Sequence, residues 1–126
     1  MQITIDIESS APLYAQLISQ VKQAVQKGHK QPGDPLPSIR QLANDLNLNN
    51  KTVAKAYRLL ERDSVIQARG YRGTYIHPDA RENSLVDLND FVTDKLKSAI
   101  STLKESGATD SEIRVAFAAI MNSGDA

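Results

Sequence analysis

Apolar positions recur along this chain with two different periods, and the points where the period changes outline its elements. Ile3, Ile5 and Ile7 alternate with Thr4 and Asp6. That is the period of a strand with one covered face, so a short strand beside a hairpin or at a sheet edge is expected. From Leu13 the spacing becomes helical. Leu13, Leu17, Val21, Ala24 and Val25 share one face. Ser9-Ser10-Ala11-Pro12 precedes them, and a proline is tolerated in a first turn because its missing N–H has no partner there. Gly28 is the expected stop, and His29 to Pro35, with two prolines around Gly33-Asp34, reads as a rigid loop.

Ser38 followed by Gln41 is a capping-box pattern, and Ile39, Leu42, Ala43 and Leu46 continue it as an amphipathic helix. Asn47-Leu48-Asn49 breaks the pattern. Asn49 suits an N-cap, and Val53, Ala56, Tyr57 and Leu60 form the buried stripe of the next helix, with Lys51, Lys55, Arg58 and Arg62 on its other face. Ser64–Ala68 and Gly73–Ile76 then flank Arg69-Gly70-Tyr71-Arg72, which predicts a hairpin with a basic tip. Helix, tight turn, helix and hairpin is the order of a helix-turn-helix followed by a wing. That arrangement delivers the start of its second helix into the DNA major groove.

After His77-Pro78 the polar run Asp79–Ser84 reads as a linker. Leu85, Leu88, Val92, Leu96, Ala99, Ile100 and Leu103 then recur at three and four residues, predicting a helix of about five turns that ends at Gly107. Thr109 and Glu112 form a second capping-box pattern, and Ile113, Ala116, Phe117, Ile120 and Met121 supply the stripe of a last helix. Two such helices make a poor core by themselves. The simplest cover for Leu88, Val92, Leu96, Ile100, Leu103, Phe117 and Ile120 is the same pair from a second copy. The expected fold is therefore mainly α with a small β wing: a winged helix-turn-helix domain over residues 1–78 and a two-helix dimerisation segment over residues 79–126.

Composition narrows the function classes. The chain has 126 residues, 40% of them hydrophobic, and no cysteine. Disulfides, thiol catalysis and thiolate–metal sites are excluded. No apolar run approaches the roughly 20 residues of a membrane span, and the N-terminus lacks the basic and apolar regions of a signal peptide, so a cytoplasmic protein without membrane partners is expected. Net charge is zero, but its distribution is uneven. Residues 1–75 hold ten Lys/Arg against six Asp/Glu, and residues 76–126 hold five against nine. A basic front half and an acidic back half point to different jobs. His29 and His77 are isolated, which predicts no metal site, and no catalytic constellation, phosphate loop or cofactor motif is present. An enzyme is not expected.

The chain resembles the GntR family of bacterial transcription regulators. The resemblance lies in Pro12-Leu13-Tyr14, Gln16, Gly28, Pro32-Gly33-Asp34, Leu36-Pro37-Ser38, Arg40, Leu42-Ala43, Leu46, Thr52-Val53, Ala56-Tyr57, Leu60-Glu61, Ile66 and Gly70. With only about 50 residues after the wing, it is similar to the short YtrA-like subfamily. The resemblance implies a homodimeric repressor on a double-stranded operator, with C-terminal helices serving dimerisation and an unidentified small-molecule effector relieving repression. It also implies that Arg40, the helix start Asn49, Asn50, Lys51 and Thr52, and the wing-tip residues Arg69 and Gly70 touch DNA. Asn49 and Asn50 depart from the Ser/Thr and Arg common among relatives, and Ser64 stands where glycine is common.

The chemistry of these side chains divides the work. Asn50 can pair with adenine and Lys51 with guanine acceptors. Thr52 and Lys55 suit phosphates, which set register without reading sequence. Arg69 and Arg72 suit the minor groove, whose negative potential attracts arginine. Each also has a structural alternative: Arg40 could pair with Asp45 or Glu61, and the wing residues could decorate a turn. A winged-helix module that binds protein or RNA stays open as the second reading, because fold does not fix function.

Overall fold

The computed structural model describes residues 2–124. They fall into two compact units, one through Asp87 and one from Leu88.

In the first unit, helix α1 (Leu13–Gln26) buries Leu17, Ile18, Val21 and Val25. It ends in a paired-turn cap: His29 N–H donates to Ala24 O (2.9 Å) and Gly28 N–H to Val25 O (3.1 Å), with Gly28 left-handed at φ 78°. Helix α2 (Ile39–Leu46) starts at Ser38, whose hydroxyl accepts from Gln41 N–H at 3.1 Å. Helix α3 (Asn50–Arg62) starts at Asn49. The same paired-turn cap closes α2 and α3, through Leu48 N–H to Ala43 O and Val65 N–H to Leu60 O, both 2.9 Å. There the left-handed residues are Asn47 (φ 55°) and Ser64 (φ 56°). Leu17, Val53, Ala56, Leu60, Val65, Ile66 and Ile76 form the centre of one core. Tyr57 joins it with its hydroxyl donating to Pro37 O at 2.6 Å, and burial pushes that phenol up to about 12. One buried side chain thereby holds the start of α2 against α3.

The sheet has three short antiparallel strands, β1 (Pro35–Leu36), β2 (Ile66–Ala68) and β3 (Thr74–Ile76), in the order β1-β3-β2. Gln67 pairs with Tyr75 across the hairpin, and Tyr75 pairs on its other side with Pro35. The predicted hairpin is formed. Strand β1 lies at the end of the segment read as a loop; two residues are too few to carry a periodic signal.

Three expectations are corrected. Ile7 lies in a turn, and Ile3–Asp6 forms no strand of this sheet. Its backbone pairs with side chains of α1. Thr4 N–H donates to Gln20 Oε1 (2.8 Å) and Thr4 O accepts from Gln20 Nε2 (2.7 Å). Asp6 bonds the Gln16 carboxamide in the same two-way manner, at 2.9 Å each. Four residues of helix rise about 6 Å and two residues of strand about 6.6 Å, so two glutamines four apart on α1 match alternate residues of an extended chain. Ile3 and Ile5 pack against the core, and Ile7 does not.

The second correction concerns the boundary. Asp79–Ser84 is no linker: Ala80–Asn83 forms a one-turn helix, α4, with Ala80 fully buried. Asn83 Nδ2 donates to Ser64 O at 2.9 Å, and Gln26 Nε2 donates to Ser84 O. Lys22 Nζ, on α1, donates to Val86 O (2.8 Å) and to Asp63 Oδ2 (3.0 Å). The first unit thus runs to residue 87 and not to 78. Third, Leu85 precedes the following helix and is exposed, so it does not belong to that helix's stripe.

In the second unit, helix α5 (Leu88–Glu105) and helix α6 (Asp110–Ser123) are joined by a short turn containing Gly107. The Thr109–Glu112 capping box is complete. Lys104 Nζ meets Asp110 Oδ1 across the turn at 2.7 Å. Neither helix has a buried residue.

Candidate nucleic-acid interface

The first turn of α3 is presented by its cap. Asn49 Oδ1 accepts from Lys51 N–H at 2.8 Å, which fixes where the helix starts and leaves Asn50 and Lys51 as its first outward residues. Both are exposed, and neither side chain makes a hydrogen bond or ion pair among the described residues. Thr52 is half-buried beside them, at the positive end of the helix dipole, which favours an anion. The capping duty of Asn49 has a consequence. Bidentate pairing with adenine uses both the oxygen and the amide nitrogen, and one lone pair of the Asn49 oxygen is already committed to the cap.

Two further cations belong to the helix-turn-helix. Arg40, in the first turn of α2, is exposed and pairs with neither Asp45 nor Glu61. Lys55, one turn further along α3, holds its amine 4.0 Å from the centroid of the Tyr14 ring at the start of α1. A cation over an aromatic face keeps its charge while losing some freedom. Tyr14 was absent from the sequence reading as a partner of Lys55, because residues 41 positions apart leave no periodic signal.

The wing tip is built by its own side chains. Gly70–Arg72 forms a single 3-10 turn between β2 and β3, with Gly70 left-handed at φ 61°. Arg69 N–H donates to Gly73 O at 2.8 Å, closing the hairpin. The Arg69 guanidinium donates to Gln67 Oε1 (3.1 Å) and lies 4.5 Å from the Tyr75 ring centroid. Tyr75 Oη donates to Arg72 O at 2.7 Å. Gln67 and Tyr75, neither singled out from sequence, therefore aim the arginine that was. Arg72 remains exposed at the tip.

The second unit offers a different surface. Leu88, Val92, Leu96, Ile100 and Leu103 on α5, with Phe117 and Ile120 on α6, are all exposed. Phe91, Val115 and Met121 add to the uncovered area; Phe91 lies three residues after Leu88, a spacing that identifies it in retrospect. Leu96, Ile100, Leu103, Phe117 and Ile120 line a groove of about 350 Å³ between the two helices. Among the described residues there is no helix long and apolar enough to cross a membrane and no cluster of acidic or histidine side chains that could hold a metal.

A three-helix core carrying a short antiparallel sheet, with the start of its third helix exposed and a cationic hairpin after it in the chain, defines the first unit as a winged helix-turn-helix. The comparisons place it further. The family model "Bacterial regulatory proteins, gntR family" matches residues 13–76. The chain is 42% identical over 98 residues to the HTH-type transcriptional repressor YtrA of Bacillus subtilis, spanning 78% of this chain and 75% of that protein. Among solved structures, a transcriptional antiterminator from Listeria monocytogenes aligns at TM-score 0.63 and 31% identity, over 96% of this chain and 90% of that one. YtrA from Sulfolobus acidocaldarius, a GntR-family transcription factor, aligns at TM-score 0.59 and 32% identity, over 79% and 97%. The chain belongs to the gntR family of bacterial regulatory proteins, the DNA-binding transcription regulators that the sequence motifs resembled.

Proposed function

We propose that this protein represses transcription as a homodimer on a pseudo-palindromic operator. The observation that carries the reading is the first turn of α3, where Asn50 and Lys51 stand exposed and unengaged beside a capped helix start. In this reading Asn50 pairs with adenine and Lys51 reaches guanine acceptors, each good contact discriminating by about 1–3 kcal/mol. Arg40, Thr52 and Lys55 meet phosphates and set register. Asn49 offers the DNA its amide N–H groups and the remaining lone pair of Oδ1. Arg69, Gly70 and Arg72 carry the wing to the minor groove.

Two heads are joined through α5 and α6, where Leu88, Val92, Leu96, Ile100, Leu103, Phe117 and Ile120 of each copy cover one another. The heads then address successive major grooves about 34–36 Å apart. Repression follows from occluding polymerase, and a small-molecule effector relieves it by favouring a different spacing of the heads. The protein acts in the cytoplasm by binding alone, without cofactor, metal or catalysis.

The test is a titration of the full chain against duplexes from the DNA beside its own gene, at several salt concentrations. An inverted repeat bound far more tightly than a scrambled duplex, with affinity falling steeply with salt, is expected. Equal affinity for both duplexes, or preference for RNA, contradicts the reading.

A further inference from the structure

The wing carries two tyrosines that are used in opposite ways. Tyr75 is structural: its ring supports Arg69, and its hydroxyl closes the turn on Arg72 O. Tyr71 is 95% exposed. Its hydroxyl makes no hydrogen bond among the described residues, and its one ring contact is the Arg72 guanidinium, 6.0 Å from the centroid. A single exposed aromatic is ordinary on a protein surface. The position of this one is not. It sits at the apex of a turn fixed by Arg69 N–H to Gly73 O (2.8 Å) and Gly73 N–H to Gly70 O (3.2 Å). It lies between two arginines, in a segment, residues 64–78, that contains no Asp or Glu. Wherever those arginines go, the ring goes with them, on a backbone already fixed by the turn and with only two side-chain torsions to settle.

We propose that Tyr71 reads the minor groove of the operator, its ring edge-on between the sugar–phosphate walls and its hydroxyl donating to an adenine N3 or thymine O2. This rests on the DNA-binding reading above and deepens it, adding a base-sensing side chain to a wing otherwise limited to charge. The minor groove of B-DNA is about 6 Å wide, which admits an aromatic ring edge-on. Its floor offers only acceptors at A·T pairs, whereas guanine adds an amine that protrudes where the ring edge lies. Tyr71 therefore selects A·T at the step beneath the wing. Charge contacts by Arg69 and Arg72 release counterions and weaken with salt. The contact of Tyr71 releases none, so salt separates the two contributions.

The experiment compares wild type, Tyr71→Phe, Tyr71→Ala and Arg72→Ala on three operators whose pair beneath the wing is A·T, G·C or inosine·C. Inosine·C keeps the major-groove face of G·C but lacks the minor-groove amine. Wild type binds the A·T and inosine·C operators roughly 3- to 10-fold more tightly than G·C, the worth of one net hydrogen bond. Tyr71→Ala loses roughly 10-fold on A·T with the salt slope unchanged, as expected for lost burial of a ring. Tyr71→Phe loses about 3-fold, and Arg72→Ala lowers the salt slope by about one. A Tyr71→Ala protein that matches wild type on all three operators, or that weakens only through a smaller salt slope, overturns the proposal while leaving DNA binding intact. A wild type that binds no duplex overturns both.

Discussion

Helices α3 and α5 both carry apolar stripes, and the protein treats them differently. In α3, Val53, Ala56 and Leu60 are fully buried. In α5, Leu96 and Ile100 remain 41% and 37% exposed, and the facing Phe117 and Ile120 of α6 are each 49% exposed. The first unit surrounds its stripe with α1, α2 and a sheet, so its core is complete within one chain. The second unit has two helices and an uncovered face. Contiguous apolar surface of that kind is rare on monomers and marks interaction sites. The larger unit covers its own apolar stripe, while the smaller leaves its stripe open, as the proposed dimer interface would.

The largest expected effect comes from charging that face. Leu96→Asp puts an unpaired carboxylate in the middle of the proposed interface, at a cost of several kcal/mol. Dimerisation fails, and operator affinity falls roughly 100-fold or more as the gain from two linked half-sites disappears. Circular dichroism should show the first unit still folded. Retention of wild-type operator affinity would contradict the division of labour.

The next effect lies within the first unit. Lys22 is 3% exposed and bonds Asp63, which Arg62 also engages at 2.8 Å. Asp63→Ala leaves a buried amine with only Val86 O, and should lower stability by about 3 kcal/mol in urea unfolding. Its pH dependence has a definite sign. Burial alone would raise the Asp63 pKa, but the hydrogen bonds from Arg62 and Lys22 and their charges together bring it below the usual carboxylate range. The stabilisation is therefore fully present above the unfolded value, about 3.9. It is lost as pH falls through the lower folded value. Asp63→Asn should be less stable than wild type at neutral pH and lose less on acidification. A parallel acid profile in the two proteins would remove this ion pair from the account.

Smaller still are the base contacts. Asn50→Ala and Lys51→Ala should each relax preference at one operator position by about 1–3 kcal/mol, whereas Thr52→Ala and Lys55→Ala should weaken all sequences alike. Binding on an operator library separates the two classes, and unchanged base preference in both of the first pair would remove them from the readout. Smallest is Ser64→Gly. A left-handed residue other than glycine carries about 1–2 kcal/mol of strain, partly offset by the extra chain entropy of glycine. The variant should gain about 0.5–1 kcal/mol in thermal unfolding without altering DNA binding.

The sequence revealed what depends on local chemistry and concealed what depends on distant partners. The stripe of α3, the Asn49 cap and the Thr109–Glu112 box were legible because each is written within one or two turns. The alternation of Ile3 and Ile5 was real, but the hydrogen-bond partners of that segment are glutamine side chains on α1, which no strand pattern announces. The polar run after the wing read as a linker because its anchors are one buried alanine, Ala80, the buried Ser84, and hydrogen bonds to Ser64 and Gln26 from distant elements. At the candidate interface, the outward side chains at the start of α3 and on the wing were identifiable from helical phase and charge. Their supports, Tyr14 beneath Lys55 and the Gln67–Tyr75 pair around Arg69, come from neighbouring elements and were not.

The central claim is that the unit from Leu88 onward is one side of a dimer interface. Sedimentation equilibrium of the wild-type chain at micromolar concentration tests it most directly. The account predicts a single species of twice the chain mass, converted to monomer by Leu96→Asp. A wild type that sediments as a monomer, or a Leu96→Asp protein that stays dimeric, would contradict it.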